Sequence, residues 1–253
     1  MHNFKALKRG SFGKKIIFYQ FLKTNKNNNY FIFLHGTYGS SFKKKYASIA
    51  DKIIKNNLGN VLLYETSRKI YTFENEKLVS DFEEYTKTFA GKTFKNELDD
   101  VRTIFDFFIK ELVTVRNPNL HLIGSSLGGT LASYLIKDYK KHIKSIILLG
   151  SGISTKGKNK PILSDYDKSQ EILANFANFS GNLTLVQGTK DTVVPVEEAR
   201  KIIFKSKNAK TKKLIILNGI DHTFKFVNGV KKEAELADYI FKLIEFEAVK
   251  NNF

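Results

Sequence analysis

One serine of this sequence lies in a setting that suits a nucleophile. Ser126 is flanked at two residues on each side by Gly124 and Gly128, after an apolar run and before a helix-like segment. A serine hydroxyl must be activated and presented to substrate, and a tight strand-to-helix turn between small residues presents it. We therefore predict that Ser126 is a catalytic nucleophile. Because this pattern also occurs as an ordinary glycine-rich turn, the prediction requires a base and an acid elsewhere.

An acid and a base follow two later predicted strands. Asp191 comes after the apolar run 183–187, and His222 comes after the run 214–217. Because active sites form beyond the carboxyl ends of parallel strands, we expect these two side chains to meet Ser126 at one edge of a sheet. The chain order serine, acid, histidine is one that Ser-His-Asp triads use.

The acid has alternatives that the sequence leaves open. Asp191 lies shortly before Pro195, and aspartate is common in turns of this kind. Asp165 and Asp167 are the substitute acids if Asp191 only shapes a turn. We interpret Asp221, next to the histidine, as a turn residue and not as the triad acid.

The other histidines are interpreted as structural, and no metal or cofactor is expected. The sequence has five histidines and no cysteine, and its histidines show no paired ligand spacing. His35 is assigned a hydrogen-bonding role, and His121 and His142 lie inside or just before predicted strands.

The elements that must position these residues alternate along the chain. We predict two N-terminal strands, then later strands and helices that follow one another, with residues 65–94 as an irregular excursion that has room for one short helix. This alternation indicates an α/β fold with a mainly parallel sheet covered by helices on both faces. One domain over residues 1–253 is the simplest organisation. The predicted strands are 5–10, 14–22, 30–34, 61–64, 120–124, 143–149, 183–187 and 214–217, and the helices are 42–53, 96–112, 127–139, 166–179, 197–204 and 229–249.

Four segments in series resemble an α/β-hydrolase. The resemblance extends from about Lys14 to the last helix, and it implies an α/β-hydrolase fold of the serine esterase or lipase-like type, with a small cap near residues 153–182. The segments that carry it are His35-Gly36, Gly124-Ser125-Ser126-Leu127-Gly128, Gly188-Thr189-Lys190-Asp191-Thr192-Val193-Val194-Pro195 and Asp221-His222.

The resemblance also implies a mechanism. His222 takes the proton of Ser126 as the serine attacks an acyl carbonyl, and Asp191 orients the imidazole. The backbone N–H groups of Leu127 and Thr37 form the oxyanion hole, and the backbone N–H of Tyr38 is the alternative to that of Thr37. One departure affects the pocket, because many esterases of this family have an Asp-x-x-Gly turn where this chain has Glu65-Thr66-Ser67-Arg68.

The composition limits the partners. The formal net charge is +17, and residues 1–60 carry 12 Lys or Arg against one acidic residue, Asp51. Only five of the 42 basic residues are arginine, so we interpret the charge as a lysine-rich solvated surface. Contact of the basic N-terminal quarter with nucleic acid or an anionic membrane is the less favoured alternative.

No apolar run is long enough for a transmembrane segment, and the lack of cysteine and of an apolar leader fits a cytoplasmic protein.

The leading hypothesis is a serine hydrolase that cleaves a small-molecule carboxylic ester through an acyl-enzyme. A thioesterase, a monoglyceride lipase or a small peptidase would use the same triad, and a non-catalytic scaffold that binds a ligand or partner is a further alternative. The sequence leaves the acyl chain length and the oligomeric state open. Six aromatic residues are candidates for the pocket wall or, equally, for ordinary core: Tyr38, Phe42, Tyr71, Phe73, Phe176 and Phe179.

Overall fold

Strands and helices alternate through most of the chain. The structure, a computed structural model, describes residues 4–12, 16–24, 28–37, 39–42, 44–67, 71–74, 77–80, 91–153, 169–225 and 233–250. The strands in these ranges are β1 Phe4–Arg9, β2 Ile16–Leu22, β3 Asn29–Leu34, β4 Asn60–Glu65, β5 Tyr71–Glu74, β6 Lys77–Ser80, β7 Asn119–Ser125, β8 Ile143–Leu149, β9 Asn182–Gly188 and β10 Thr211–Leu217.

Eight of these strands form one mixed, mostly parallel sheet. Their order is β1-β2-β4-β3-β7-β8-β9-β10, with β1 antiparallel to β2 and β2 antiparallel to β4. The other neighbours pair in parallel. Strands β3, β4 and β9 are buried along their whole length, and burial on both faces explains the nearly continuous apolar runs of β3 and β4. The predicted sheet is confirmed.

Helices cover both faces of the sheet, as predicted. They are α1 Lys44–Lys55, α2 Phe94–Phe107, α3 Leu127–Tyr139, α4 Ser169–Ala177, α5 Val196–Lys205 and α6 Glu233–Lys250, and α2 continues into a π-helical turn, Phe108–Leu112. The apolar faces of α2 to α5 join one buried cluster, and those of α1 and α6 join a second cluster on the opposite face. Within the ranges described, none of the helices combines the length and apolar character needed to span a membrane.

The excursion after β4 is more regular than predicted. Strands β5 and β6 pair as an antiparallel hairpin separate from the main sheet. The sequence placed the short helix no more closely than residues 65–94, and residues 81–90 of that segment lie outside the described residues. Helix α2 begins two residues earlier than predicted because Thr93 caps it, with Thr93 Oγ1 accepting the N–H of Asn96 and Asn96 Oδ1 accepting the N–H of Thr93.

The region predicted as a cap is described only in part. Residues 154–168 lie outside the described residues. Helix α4 packs on α3 and buries Ile172 and Phe176 in the cluster that covers the sheet. The small cap over residues 153–182 and the single-domain organisation therefore stay predictions.

Candidate active site

The side chains of Ser126, His222 and Asp191 form one hydrogen-bonded chain beyond the carboxyl ends of the strands. Ser126 follows β7, Asp191 follows β9 and His222 follows β10. His222 Nε2 lies 3.0 Å from Ser126 Oγ, and His222 Nδ1 lies 2.8 Å from Asp191 Oδ2. The structure thus brings together the three side chains predicted from the strand ends, with the imidazole between the hydroxyl and the carboxylate.

The turn that carries Ser126 has an unusual backbone. Ser126 has φ 52° and ψ −119°, a conformation that costs a non-glycine residue about 1–3 kcal/mol. The flanking glycines permit it, since a Cβ on Gly124 would lie 2.8 Å from Gly128 O, and a Cβ on Gly128 would lie 2.0 Å from Leu34 O. The Ser126 N–H donates to Leu149 O at 2.9 Å. The turn therefore holds the hydroxyl outward at the start of α3.

A tight turn positions His222. Asp221 Oδ1 accepts the backbone N–H groups of Thr223 at 2.8 Å and Lys225 at 2.9 Å. The next residue in this turn, Phe224, has φ 61° and is buried. Asp221 is therefore a turn residue, as predicted, and the carboxylate that contacts the imidazole is that of Asp191.

Asp191 is buried and accepts four hydrogen bonds. Its Oδ1 accepts the backbone N–H groups of Val193 at 2.9 Å and Val194 at 2.7 Å. Its Oδ2 faces His222 and also accepts from Gln187 Nε2 at 2.8 Å. Asp191 thus shapes the turn with one oxygen and faces the imidazole with the other, so the two interpretations of this residue are compatible. The substitute acids of the sequence analysis, Asp165 and Asp167, lie outside the described residues.

The loop after β3 lies against the serine turn. A Cβ on Gly36 would come within 3.1 Å of the Ser126 Cβ and 3.2 Å of Ser125 O. The loop closes through a hydrogen bond from Gly39 N–H to Gly36 O at 2.9 Å, and Thr37 lies inside that turn. Leu127 is the first residue of α3 and directly follows Ser126. Leu127 therefore adjoins Ser126 in the chain, and Thr37 directly follows the glycine that lies against Ser126, so the oxyanion hole stays a prediction. The alternative donor, Tyr38, lies outside the described residues.

A buried carboxyl group, Glu65, supports this loop from behind. Glu65 Oε1 lies 3.5 Å from His35 Nε2, and His35 Nδ1 lies 3.3 Å from Gly36 O. Glu65 also hydrogen-bonds the Ser40 side chain at the other end of the loop. Burial raises the pKa of Glu65 from its ordinary value of 4.5 to about 8, although the bond to Ser40 acts in the opposite direction. Glu65 is therefore mostly protonated at neutral pH and ties both ends of the loop together as a neutral acid.

Glu65 should make the folded protein less stable as the pH rises. Between its unfolded pKa near 4.5 and its folded pKa of about 8, only the folded state keeps the proton. The free energy of unfolding should then fall by about 1.4 kcal/mol for each pH unit in this window from Glu65 alone. Glu65→Gln removes that contribution, so its stability relative to the wild type should increase from pH ~5 to pH ~8 in urea denaturation.

The matched control for this measurement is Glu111→Gln, the same substitution at an exposed carboxylate. It should leave the pH slope of the wild type unchanged. Parallel slopes for the wild type and Glu65→Gln would show instead that Glu65 is already ionised in the folded protein at neutral pH.

A buried ionic cluster holds the residues that directly follow β4, Thr66 and Ser67. Lys92 is fully buried, and its Nζ lies 2.7 Å from Glu97 Oε2 and 2.9 Å from Asp100 Oδ2. The same carboxylates accept hydrogen bonds from Thr66 Oγ1 at 2.9 Å and from Ser67 N–H at 2.8 Å. The start of α2 therefore fixes the chain directly after Glu65.

His121, interpreted from the sequence as structural, lies in the core. His121 lies in β7, stacks on Phe31 with ring centroids 4.7 Å apart and contacts Ser145 Oγ at 2.8 Å. Burial lowers the pKa of His121 to about 3, so it is neutral. Within the described ranges, no three His, Asp or Glu side chains are grouped so as to hold a metal ion.

Three of the six aromatic candidates are ordinary core residues: Phe42, Phe176 and Phe179. The side chains of the other three lie outside the described part of the structure.

Three residues near the site were not predicted from the sequence as functional: Gln187, Gly150 and Glu65. Gln187 is a buried polar residue near the end of β9, but Asn182 and Thr184 in the same strand are also polar and buried, so its residue type alone does not single it out. Gly150 has φ 56°, and a Cβ there would lie 3.4 Å from Asp191 Oδ2 and 3.6 Å from His222 Nδ1. Those two distances are ordinary contacts, so glycine is favoured here by its positive φ and by Phe224, whose ring would lie 3.2 Å from a Cβ.

Comparisons with known proteins agree with this architecture. Residues 78–171 match a family model described as the alpha/beta hydrolase fold. No curated protein matches the sequence significantly.

Solved structures are similar over nearly the whole chain. Est1E from Butyrivibrio proteoclasticus is 13% identical with a TM-score of 0.66, covering 96% of this chain and 99% of that one. The esterase domain of a Rhodothermus marinus protein is 15% identical with a TM-score of 0.65, covering 97% and 98%. The Pyrococcus furiosus esterase PF2001 is 15% identical with a TM-score of 0.63, covering 98% and 92%. At such identities the similarity concerns the fold and not the substrate.

Proposed function

We propose that this chain, which has the α/β-hydrolase fold, is a serine hydrolase that cleaves carboxylic esters. The observation that carries the proposal is the hydrogen-bonded chain from Ser126 through His222 to Asp191, with contacts of 3.0 and 2.8 Å. A hydroxyl, an imidazole and a buried carboxylate in this order are what acyl transfer to serine requires. Two of the similar solved structures are described as an esterase and an esterase domain.

The reaction begins with attack of Ser126 Oγ on the ester carbonyl. His222 Nε2, 3.0 Å away, accepts the hydroxyl proton as the new C–O bond forms. Asp191 accepts the Nδ1–H of His222 at 2.8 Å, so the imidazole keeps Nε2 free as an acceptor and its cation is stabilised.

The negative charge of the tetrahedral intermediate then develops on the former carbonyl oxygen. We assign its stabilisation to the backbone N–H groups of Leu127 and Thr37, which border Ser126 from the helix start and from the adjacent loop. Loss of one such donor typically costs about 3 kcal/mol of transition-state stabilisation.

His222 next delivers its proton to the leaving alcohol, and the acyl group stays on Ser126. Water then attacks the acyl-enzyme with His222 again as the base, which releases the carboxylic acid and restores the serine. No step needs a metal or a redox group. The chemistry therefore uses only side chains and backbone groups of this chain.

The substrate class we propose is a small acyl ester. One of the similar structures is Est1E with bound ferulic acid, an aromatic acid of the kind that hydrolysis of an ester releases. An aromatic acyl group is therefore a reasonable first probe beside simple aliphatic ones. Because fold and triad do not set the substrate, the acyl preference must come from measurement.

The test is a substrate panel with the purified full chain. It combines p-nitrophenyl esters of increasing acyl length, a hydroxycinnamoyl ester, an acyl thioester and an aminoacyl amide. We expect turnover of one or more esters, with the thioester and the amide at least about tenfold slower in kcat/KM. Turnover of the thioester or the amide above every ester would reassign the substrate class, and no turnover of any member would oppose an ester hydrolase.

A further inference from the structure

Gln187 is a buried amide next to the proposed catalytic carboxylate. It is the penultimate residue of β9 and is 1% exposed. Its Nε2 lies 2.8 Å from Asp191 Oδ2 and 2.7 Å from Val194 O. One amide nitrogen therefore reaches both the acid and the turn that holds the acid.

The orientation of this amide is fixed by its neighbours. Asp191 Oδ2 and Val194 O are both acceptors, so the NH₂ group of Gln187, and not its oxygen, must face them. The other end of the amide, Oε1, is buried and has no hydrogen-bond partner. Such burial has a cost that an apolar residue at this strand position would avoid. The two N–H groups of Gln187 Nε2 compensate by donating to Asp191 Oδ2 and Val194 O.

We propose that Gln187 is a positioning residue that holds Asp191 for His222, an inference that rests on the proposed function. Two backbone N–H groups, those of Val193 and Val194, fix Asp191 Oδ1. Gln187 fixes Oδ2, the oxygen that faces the imidazole, and its second N–H closes the turn at Val194 O. With both oxygens held, the carboxylate cannot rotate away from His222. Because hydrogen bonds to a charged group are stronger than neutral ones, this contact orients the acid more firmly than packing would.

The test is Gln187→Met, which keeps the length of the side chain and removes both donors. We expect kcat to fall about 10- to 100-fold with KM within about twofold of the wild type, the loss that removal of a hydrogen bond to a charged group predicts. The rate at which a fluorophosphonate labels Ser126 should fall in parallel, because the same base activates the serine in both reactions. A purely structural role would not separate kcat from KM in this way.

The matched control is Gln20→Met. Gln20 is also a buried strand glutamine, 4% exposed, but it lies in β2, away from the triad. It should change the thermal stability without changing kcat or the labelling rate. Gln187→His retains an N–H donor at the same strand position and should recover most of the kcat lost in Gln187→Met.

If Gln187→Met does not fold, Gln187→Leu gives the same test. It also removes both donors and introduces no titratable group, so kcat should fall about as far. Wild-type kcat and labelling in a folded Gln187→Met or Gln187→Leu would overturn the inference while leaving the proposed function intact. A wild type that neither hydrolyses esters nor reacts with the probe would instead refute the proposed function itself.

Discussion

Replacement of Ser126 by alanine should lower kcat/KM for ester hydrolysis about 10⁴- to 10⁶-fold, because the proposed reaction then has no nucleophile. The fold should survive, since alanine keeps the Cβ and leaves the backbone hydrogen bond from residue 126 to Leu149 O in place. Only the contact of 3.0 Å to His222 Nε2 is lost. The measurement is the rate of p-nitrophenyl ester hydrolysis together with covalent labelling by a fluorophosphonate. The wild type should be labelled once per chain and the variant not at all.

Ser125→Ala is the matched control for this experiment. Ser125 ends β7 and lies one residue before the nucleophile, so both variants remove one hydroxyl from the same turn. Ser125→Ala should keep both hydrolysis and labelling. Equal labelling of the wild type and Ser126→Ala would mean that the probe reacts elsewhere, and the proposal of Ser126 as the nucleophile would be wrong.

Much of the fold could be predicted because long apolar runs determine it. Strands β3, β7, β8 and β9 are largely buried, and each contains enough apolar residues in succession to be recognised in the sequence. The predicted bounds of α3 and β8 are the observed ones. The hairpin of β5 and β6 was missed, since its strands have only four residues each, contain no apolar run longer than two residues and form a separate sheet. The α/β-hydrolase fold predicted by resemblance is confirmed by the family model and the solved structures.

The parts of the candidate site that could be predicted are those where the backbone conformation requires particular neighbouring residues. The glycines around Ser126 and the turn around Asp191 are sequence features in their own right, because a strained serine and an aspartate-capped turn need particular neighbours. No comparable local sequence pattern surrounds Gln187 or Glu65. Gln187 acts through a residue four positions away, and Glu65 acts through His35 in another strand-end loop. Their roles depend on three-dimensional contacts, so only the structure could assign them.

Asp191→Asn should lower kcat about 10⁴-fold, because it places the wrong hydrogen-bonding group opposite the imidazole and also loses the acceptor for Gln187 Nε2. The asparagine carbonyl can still accept the N–H groups of Val193 and Val194, which bind Asp191 Oδ1 in the wild type. Its NH₂ group then faces His222 Nδ1, where a carboxylate oxygen lies at 2.8 Å. Since an NH₂ group only donates, Nδ1 must become the acceptor and the ring proton must move to Nε2. The nitrogen that faces Ser126 Oγ would then be protonated and could not take the serine proton. Steady-state kinetics and fluorophosphonate labelling should both show the loss.

Asp221→Asn separates this effect from a simple loss of charge. It removes a carboxylate from the residue next to His222, but the Oδ1 of an asparagine can still accept the turn hydrogen bonds from Thr223 and Lys225. We expect its kcat to stay within about tenfold of the wild type, since a screened, partly exposed charge contributes little. If the two variants lost activity equally, negative charge near the imidazole would be the important property and the specific contact with Asp191 would not. A large loss confined to Asp191→Asn would instead show that activity depends on the carboxylate at Nδ1 to set which ring nitrogen carries the proton.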